Sequence, residues 1–419
     1  MSINRPRGTN DILPGESEKW QAVEALLRTI AAEYGFRELR TPIFEETELF
    51  ARGVGDTTDI VQKEMYTFDD HGGRSITLRP ENTASACRAY LENKLYGAVQ
   101  PVKLFYIGPM FRYEKPQAGR FRQFHQFGLE IFGTAAAAAD AEIIAFAWDL
   151  YHRLGIRDLR LRLNSVGCPA CRPAYREALQ DYFRPYLDRL CPSCRERFFR
   201  NPLRILDCKS EICREIGKDA PSIIDYLCED CSSHFAQVKQ LLTAADIPYT
   251  LDTRMVRGLD YYTKTAFEIE VAKIGAQAAV CGGGRYDGLI EELGGGHIPG
   301  VGFALGIERI FSALASQGDD IETEQNLDVY LVVAGGADAA ALAFRVADQL
   351  RRAGVSCELD YGEKGFKAQM KAANRLGAAY AAIVGEDEVK ADSVTVKNME
   401  NGEQAAIPFA EIKQYFLQR

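Results

Sequence analysis

The sequence predicts an α/β protein: an α+β core on an antiparallel sheet flanked by helices, interrupted by a helical cysteine-rich insertion and followed by a small α/β domain. Three observations point there. Residues 102–132 hold two long runs of aromatic and β-branched residues, the pattern of paired strands. Eight of the eleven cysteines crowd into residues 168–231. After residue 327, apolar strand patterns alternate with helical ones. At 419 residues the chain exceeds a single core. The expected division is 1–325, with the insertion at about 168–246, and 327–419.

In order along the chain, Trp20, Val23, Leu27, Ile30 and Tyr34 recur at three- and four-residue steps with Gly35 beyond them, predicting an amphipathic helix over 17–34 closed by a glycine. VKLFYIGPMFRYE and RFRQFHQFGLEIFG then predict two antiparallel strands joined near 115–120. On the second strand, period-two geometry places Phe124, Gln126, Gly128 and Glu130 on one face and His125, Phe127, Leu129 and Ile131 on the other. The cysteine-rich stretch is helical by pattern. Strand signals resume at Tyr249–Thr253 and Ala266–Val271, and GVGFALGIERIF at 300–311 reads as a glycine-spaced strand leading into a helix. The polar segment 316–326 predicts a linker. Beyond it, strands at 329–335, 355–359 and 380–384 enclose helices at 338–353 and 365–376, the order of a parallel α/β sheet.

The composition is that of an ordinary globular chain, 47% hydrophobic and 26% charged. No stretch nears the ~18 apolar residues needed to cross a bilayer, and the N-terminus lacks a signal-peptide apolar core, so a cytoplasmic location without membrane contact is expected. In that compartment cysteines stay reduced, which makes disulfides a poor explanation for them. The net charge of −9 argues against a basic coat for nucleic acid and leaves room for a local basic groove.

The buried carboxylate and amide of Glu130 and Gln126 require partners, either an internal polar network or a ligand. Arg112 and Arg309 add groups suited to phosphate and to stacking on a nucleobase, although either alone is commonly a surface ion pair. GGGRYDGL at 282–289 permits close backbone approach, or is only a turn. Cys168 with Cys171, Cys191 with Cys194, Cys208 with Cys213, and Cys228 with Cys231 form four pairs, three with the two-residue gap that lets both thiolates face one tetrahedral ion. They would serve two structural zinc ions, or one with the rest buried, or be plain core residues.

Together RTPIFE (40–45), FRYE (111–114) and GFALGIERIF (302–311) resemble the three motifs of class II aminoacyl-tRNA synthetases, in order. TLRPENT (77–83), GRFRQFHQFGLEIFG (119–133), VRGLDYYTKTAFE (256–268) and GGGRYDGL are similar to histidyl-tRNA synthetases, a resemblance running from GTNDILP (8–14) into the C-terminal domain. It implies a class II antiparallel sheet, a three-layer anticodon-binding domain, ATP with Mg²⁺, L-histidine and tRNA(His) as partners, and a homodimer formed through the segment of Pro42. The implied activity is that of a histidine-tRNA ligase, forming histidyl-adenylate and pyrophosphate and then charging the 3′ end of tRNA(His).

The resemblance also implies roles. Glu81, Thr83 and Gln126 would hold the α-amino group; Glu130 and Tyr262, with Tyr261 beside them, the imidazole; and Tyr286 would line the pocket. Arg112 and Arg257 would be the catalytic cations, Arg257 also contacting the histidine carboxylate, while Arg112, Glu114 and Arg309 would bind ATP. Lys115, Arg120 and Arg122 would meet the acceptor stem, and Lys364, Lys367, Lys371 and Arg375 would lie in the anticodon-binding domain. Asn82 departs from the glycine many members carry. The rival reading is the synthetase-like regulatory subunit of ATP phosphoribosyltransferase; the intact RGLDYY string, Arg112, Arg309 and the domain after 327 oppose it.

Overall fold

The computed structural model describes residues 3–55, 58–116, 119–256, 259–272, 278–323, 327–362 and 364–418. These fall into two compact units, 1–321 and 322–419.

The first unit is organised on an eight-stranded sheet. Its order is Arg37–Glu38, Val102–Phe111, Gln123–Phe132, Gly300–Gly306, Ala279–Arg285, Thr263–Val271, Leu159–Ser165 and Tyr249–Leu251. The outermost pairing at each edge is parallel and the five between them are antiparallel. The two long aromatic strands pair over their full length, Val102 opposite Phe132 and Phe111 opposite Gln123. Arg112–Glu114, read from the sequence as a continuation of the first strand, lie just past its end. Alternation works as expected: Phe127, Leu129 and Ile131 enter the main core, while Gln126 and Glu130 point to the other face. His125 shares the core-side face. Glu308 accepts hydrogen bonds from its backbone N–H (2.9 Å) and contacts its ring Nδ1 (3.0 Å), and Trp20 packs edge-on against the imidazole.

Helices Ser17–Glu33 and Ala137–Arg153 cover the core face, the first burying Val23, Leu27 and Ile30 as the spacing requires. TLRPENT joins the strand Ser75–Leu78 of a three-stranded sheet (Phe44–Glu46, Ser75–Leu78, Tyr66–Asp69) to helix Thr83–Glu92. Its Arg79 is buried and donates to the carbonyls of Pro109 (2.9 Å), Thr41 (3.1 Å) and Pro42 (3.3 Å) and to Asn82 Oδ1 (3.2 Å). Asn82 therefore has a structural task, its Oδ1 also accepting from Thr41 Oγ1 (2.7 Å).

The insertion is helical, with its own core of Tyr175, Leu179, Phe183, Phe198 and Ile205 among others. It is shorter than the sequence reading. The helix Glu229–Ala244 buries Phe235, Val238 and Leu242 in the main core, because its apolar face fits the helix Ala137–Arg153.

The second unit is a three-layer arrangement: helices Ala337–Arg352 and Ile412–Leu417 on one face of a five-stranded sheet, Phe366–Arg375 on the other. Strands Val329–Ala334, Cys357–Leu359 and Tyr380–Gly385 are parallel as expected. Ser393–Asn398 and Gln404–Pro408 add an antiparallel hairpin that the alternation rule did not reveal, so the sheet is mixed. The expected linker also shrinks, since helix Ile307–Gln317 runs into it. No described helix is long and apolar enough to cross a membrane.

Candidate active site

The polar face of the central strands opens on a cavity of about 290 Å³, close to the size of a small-molecule site. Six separate stretches of sequence contribute the polar groups that line it. Glu81 comes from the loop before helix Thr83–Glu92 and Thr83 from the first position of that helix, while Arg112 and Glu114 lie just past the end of the first long strand. Gln126 comes from the second, Tyr261 and Tyr262 from the loop before strand Thr263–Val271, Tyr286 from the glycine string, and Arg309 from the first turn of helix Ile307–Gln317.

Each is fixed by local structure. The carboxylate of Glu81 accepts the backbone N–H groups of Thr83 (2.7 Å) and Ala84 (2.9 Å), two of the orphan donors at that helix start. Burial nonetheless raises its proton affinity above that of an ordinary carboxylate. Arg112 is pinned through Nε to the carbonyl of Pro80 (2.8 Å), with its guanidinium over the ring of Phe124. Arg309 donates to the carbonyl of Ala279. Gln126 Oε1 is buried and has no hydrogen-bond partner among the described residues, so it is an acceptor held open towards the cavity.

Glu130 sits deeper than the sequence suggested. It is only 1% exposed and is not among the lining residues; Tyr106 donates to its Oε1 (3.2 Å) and Tyr286 to its Oε2. Burial dominates its chemistry: the pull of the Tyr286, Thr83 and Tyr106 hydrogen bonds does not offset desolvation, Glu81 adds repulsion, and its pKa is pushed up to about 8. Gly302, which does line the cavity, is the covering residue; a Cβ there would lie 1.9 Å from Glu130 Oε2. Tyr106 was invisible to pattern reading, because only strand register places it opposite Gly128, where the absent side chain lets its ring lie flat.

Arg257 lies outside the described residues. Of the loop cations, Arg120 pairs with Glu114 (2.8 Å) and Arg122 lies 3.8 Å over the Tyr113 ring, whereas Lys115 is exposed. In the second unit Lys367, Lys371 and Arg375 are exposed on one helix, and Lys364 pairs with Asp360 (3.3 Å). The eight cysteines gather into two groups, Cys168, Cys171, Cys228 and Cys231, and Cys191, Cys194, Cys208 and Cys213, the sulfurs of each all within 4.8 Å of one another.

Comparison with known proteins agrees with these motifs. The family model described as Histidyl-tRNA synthetase matches residues 8–170 and 218–310, and that described as Anticodon binding domain matches 328–419. A histidine–tRNA ligase of Pelotomaculum thermopropionicum is 59% identical over 422 residues, spanning 100% of this chain and 98% of its own. One from Desulforamulus reducens is 57% identical over 412 residues, spanning 98% of both. The crystal structure of apo S. aureus histidyl-tRNA synthetase superposes with a TM-score of 0.85 at 42% identity, covering 99% of this chain and 100% of that one. The chain belongs to the histidyl-tRNA synthetase family.

Proposed function

We propose that the protein is a histidine–tRNA ligase that joins L-histidine to AMP from ATP, releasing pyrophosphate, and then transfers histidine to the 3′ end of tRNA(His). The observation that carries this reading is the convergence of carboxylate, amide, phenol and guanidinium groups on one cavity of amino-acid size. Gln126 Oε1, with Glu81 and Thr83, takes the α-ammonium group. Glu130 accepts one imidazole N–H across Gly302, where no Cβ stands between its Oε2 and the cavity, and a tyrosine hydroxyl, that of Tyr262, satisfies the other nitrogen. An apolar amino acid of the same size would leave these groups unpaired, which supports discrimination of roughly 10⁴ or more without editing.

The histidine carboxylate is already ionised, so no protein base is needed for its attack on the α-phosphorus. Arg112, pre-positioned by Pro80 and Phe124, and Arg257 stabilise the charge that gathers on the α-phosphoryl oxygens. Arg309 stacks on adenine. The hard oxygen donors Glu114 and Glu268 on the cavity wall suit Mg²⁺, which would supply charge neutralisation at the β- and γ-phosphates. Lys115, Arg120 and Arg122 face the acceptor stem, and the basic helix of 366–375 serves the anticodon. The exposed apolar side chains of Ile43 and Phe44, next to Pro42, support a homodimer, and the protein acts in the cytoplasm.

Pyrophosphate exchange measured with each of the twenty amino acids tests the reading. Exchange should require histidine and Mg²⁺, and Arg257→Ala should lower kcat by about 10²-fold or more while histidine binding survives better. Preference for another amino acid, or full exchange without Arg257, refutes it.

A further inference from the structure

We propose that the eight cysteines of residues 168–231 form two separate tetrathiolate zinc sites, one closing the neck of the insertion and one inside its core. The neck site joins Cys168 and Cys171, where the chain enters the insertion, to Cys228 and Cys231, where it leaves. The core site joins Cys191 and Cys194 to Cys208 and Cys213.

Distance decides between ligation, disulfide and packing. Sulfur separations are 3.7 Å for Cys168 and Cys171, 3.8 Å for Cys168 and Cys228, and 3.7 Å for Cys191 and Cys208. A disulfide would require about 2.05 Å. Four sulfurs at ~2.3 Å from one tetrahedral ion stand about 3.8 Å apart. Packing cysteines have no reason to converge four at a time, and here all eight do.

The backbone is arranged as thiolate ligands need it. Cys171 and Cys194 close single turns onto the carbonyls of Cys168 and Cys191 (3.0 Å each), so both members of each CxxC pair face one side. Gly167 enters the first turn at φ +63°, where a Cβ would lie 2.9 Å from that of Cys171. Helices Arg172–Phe183, Pro192–Arg200 and Glu229–Ala244 start at Cys171, Cys191 and Cys228, putting their positive ends beside the sulfurs. Backbone N–H groups point at sulfur from Cys228 to Cys171 (3.1 Å), from Cys191 to Cys213 (3.3 Å) and from Ser210 to Cys208 (3.4 Å), the outer contacts that hold a metal-bound thiolate. A module of roughly sixty residues is also too small to be secured well by its apolar core alone. Residues 171–217, which hold five of the eight cysteines, fall in the gap of the family match.

The neck site has a consequence for the cavity, and this part rests on reading the cavity as the histidine pocket. Arg172, next to Cys171, donates to the carbonyl of Tyr262; Asn201 and Arg204 reach Asp260 Oδ1 at 3.4 and 3.2 Å. The insertion thus grips the loop that carries Tyr261 and Tyr262, and the zinc at its root fixes that grip.

The test is elemental analysis of the full-length protein purified with zinc and without chelator. It should find about two zinc ions per chain, and about one in each of the folded double variants Cys168→Ser with Cys171→Ser and Cys191→Ser with Cys194→Ser. Loss of both ions from either variant, one ion in the wild type, or zinc-free protein of undiminished thermal stability overturns the assignment. Should a variant fail to fold, cobalt substitution of the wild type decides: two equivalents with tetrahedral tetrathiolate absorption support the sites, and their absence refutes them. The neck variant should also raise KM for histidine severalfold with little change in kcat. An unchanged KM would refute the grip alone, since the metal count does not depend on the substrate.

Discussion

Glu130 and Asp140 are both 1% exposed carboxylates, one behind the cavity wall at Gly302 and one on the helix that follows, yet they are held in opposite ways. Asp140 is met by cations and ring nitrogens: Arg285, itself fully buried on the central strand, donates through Nε (3.1 Å) and Nη2, and His234 Nε2 lies 3.1 Å away. Burial pushes Asp140 up, but the His234 hydrogen bond and the Arg285 charge outweigh it, so it stays below the ordinary carboxylate range. Glu130 is met only by hydroxyls, and burial wins. The scaffold completes its own buried charge; Glu130 has only hydroxyl partners, and under the proposed function a ligand finishes it. Asp140, Arg285 and His234 thereby join the helix Ala137–Arg153, the glycine string and the helix after the insertion, and so set the position of Tyr286.

The comparison is broken most easily at Asp140. Asp140→Asn strips one of two carboxylates from a buried guanidinium, leaving Asp287 at 3.0 Å, and should cost about 2–3 kcal/mol in denaturant unfolding; a loss below about 1 kcal/mol would show that Asp140 does not hold Arg285 by charge. Glu130→Gln should do the reverse. Stability at pH 7 is expected not to fall and to rise by up to about 3 kcal/mol, since the amide spares the folded chain the protonation of a carboxyl that is ionised when unfolded, while kcat/KM for histidine in pyrophosphate exchange falls about 10²-fold. A threefold fall would mean that the imidazole is read elsewhere.

A smaller effect sharpens the contrast through pH. Glu130 binds its proton more tightly in the folded chain, with a pKa near 8 against 4.5 for the free side chain. Its stabilising contribution is therefore complete below pH 4.5 and is lost as pH rises towards 8. Melting temperatures of Glu130→Gln relative to wild type should accordingly rise between pH 5 and 8. A constant difference would indicate that Glu130 is ionised throughout.

Much of this was legible in the residues because it is local. Period-two alternation placed Gln126 and Glu130 on the face opposite Phe127, and three- and four-residue spacing gave the first helix. What escaped depends on partners far away in sequence. Asp140 looks like an acid in an alanine-rich helix until register brings Arg285 to it. The cysteines read as neighbouring pairs, but the insertion closes on its own root and joins Cys168 to Cys228. The electrostatic state of Glu130 needs the depth of burial and the positions of Tyr106, Tyr286 and Gly302, none of which periodicity supplies.

Calorimetry of histidine binding at pH 7, repeated in buffers of different ionisation enthalpy, counts the protons exchanged and tests most directly whether Glu130 waits neutral for its ligand. An imidazole N–H added to the Tyr106 and Tyr286 hydroxyls gives Glu130 three donors and favours its ionised form, so wild type should release about one proton per histidine bound and Glu130→Gln almost none. Equal proton release by the two, or none from wild type, would contradict the account.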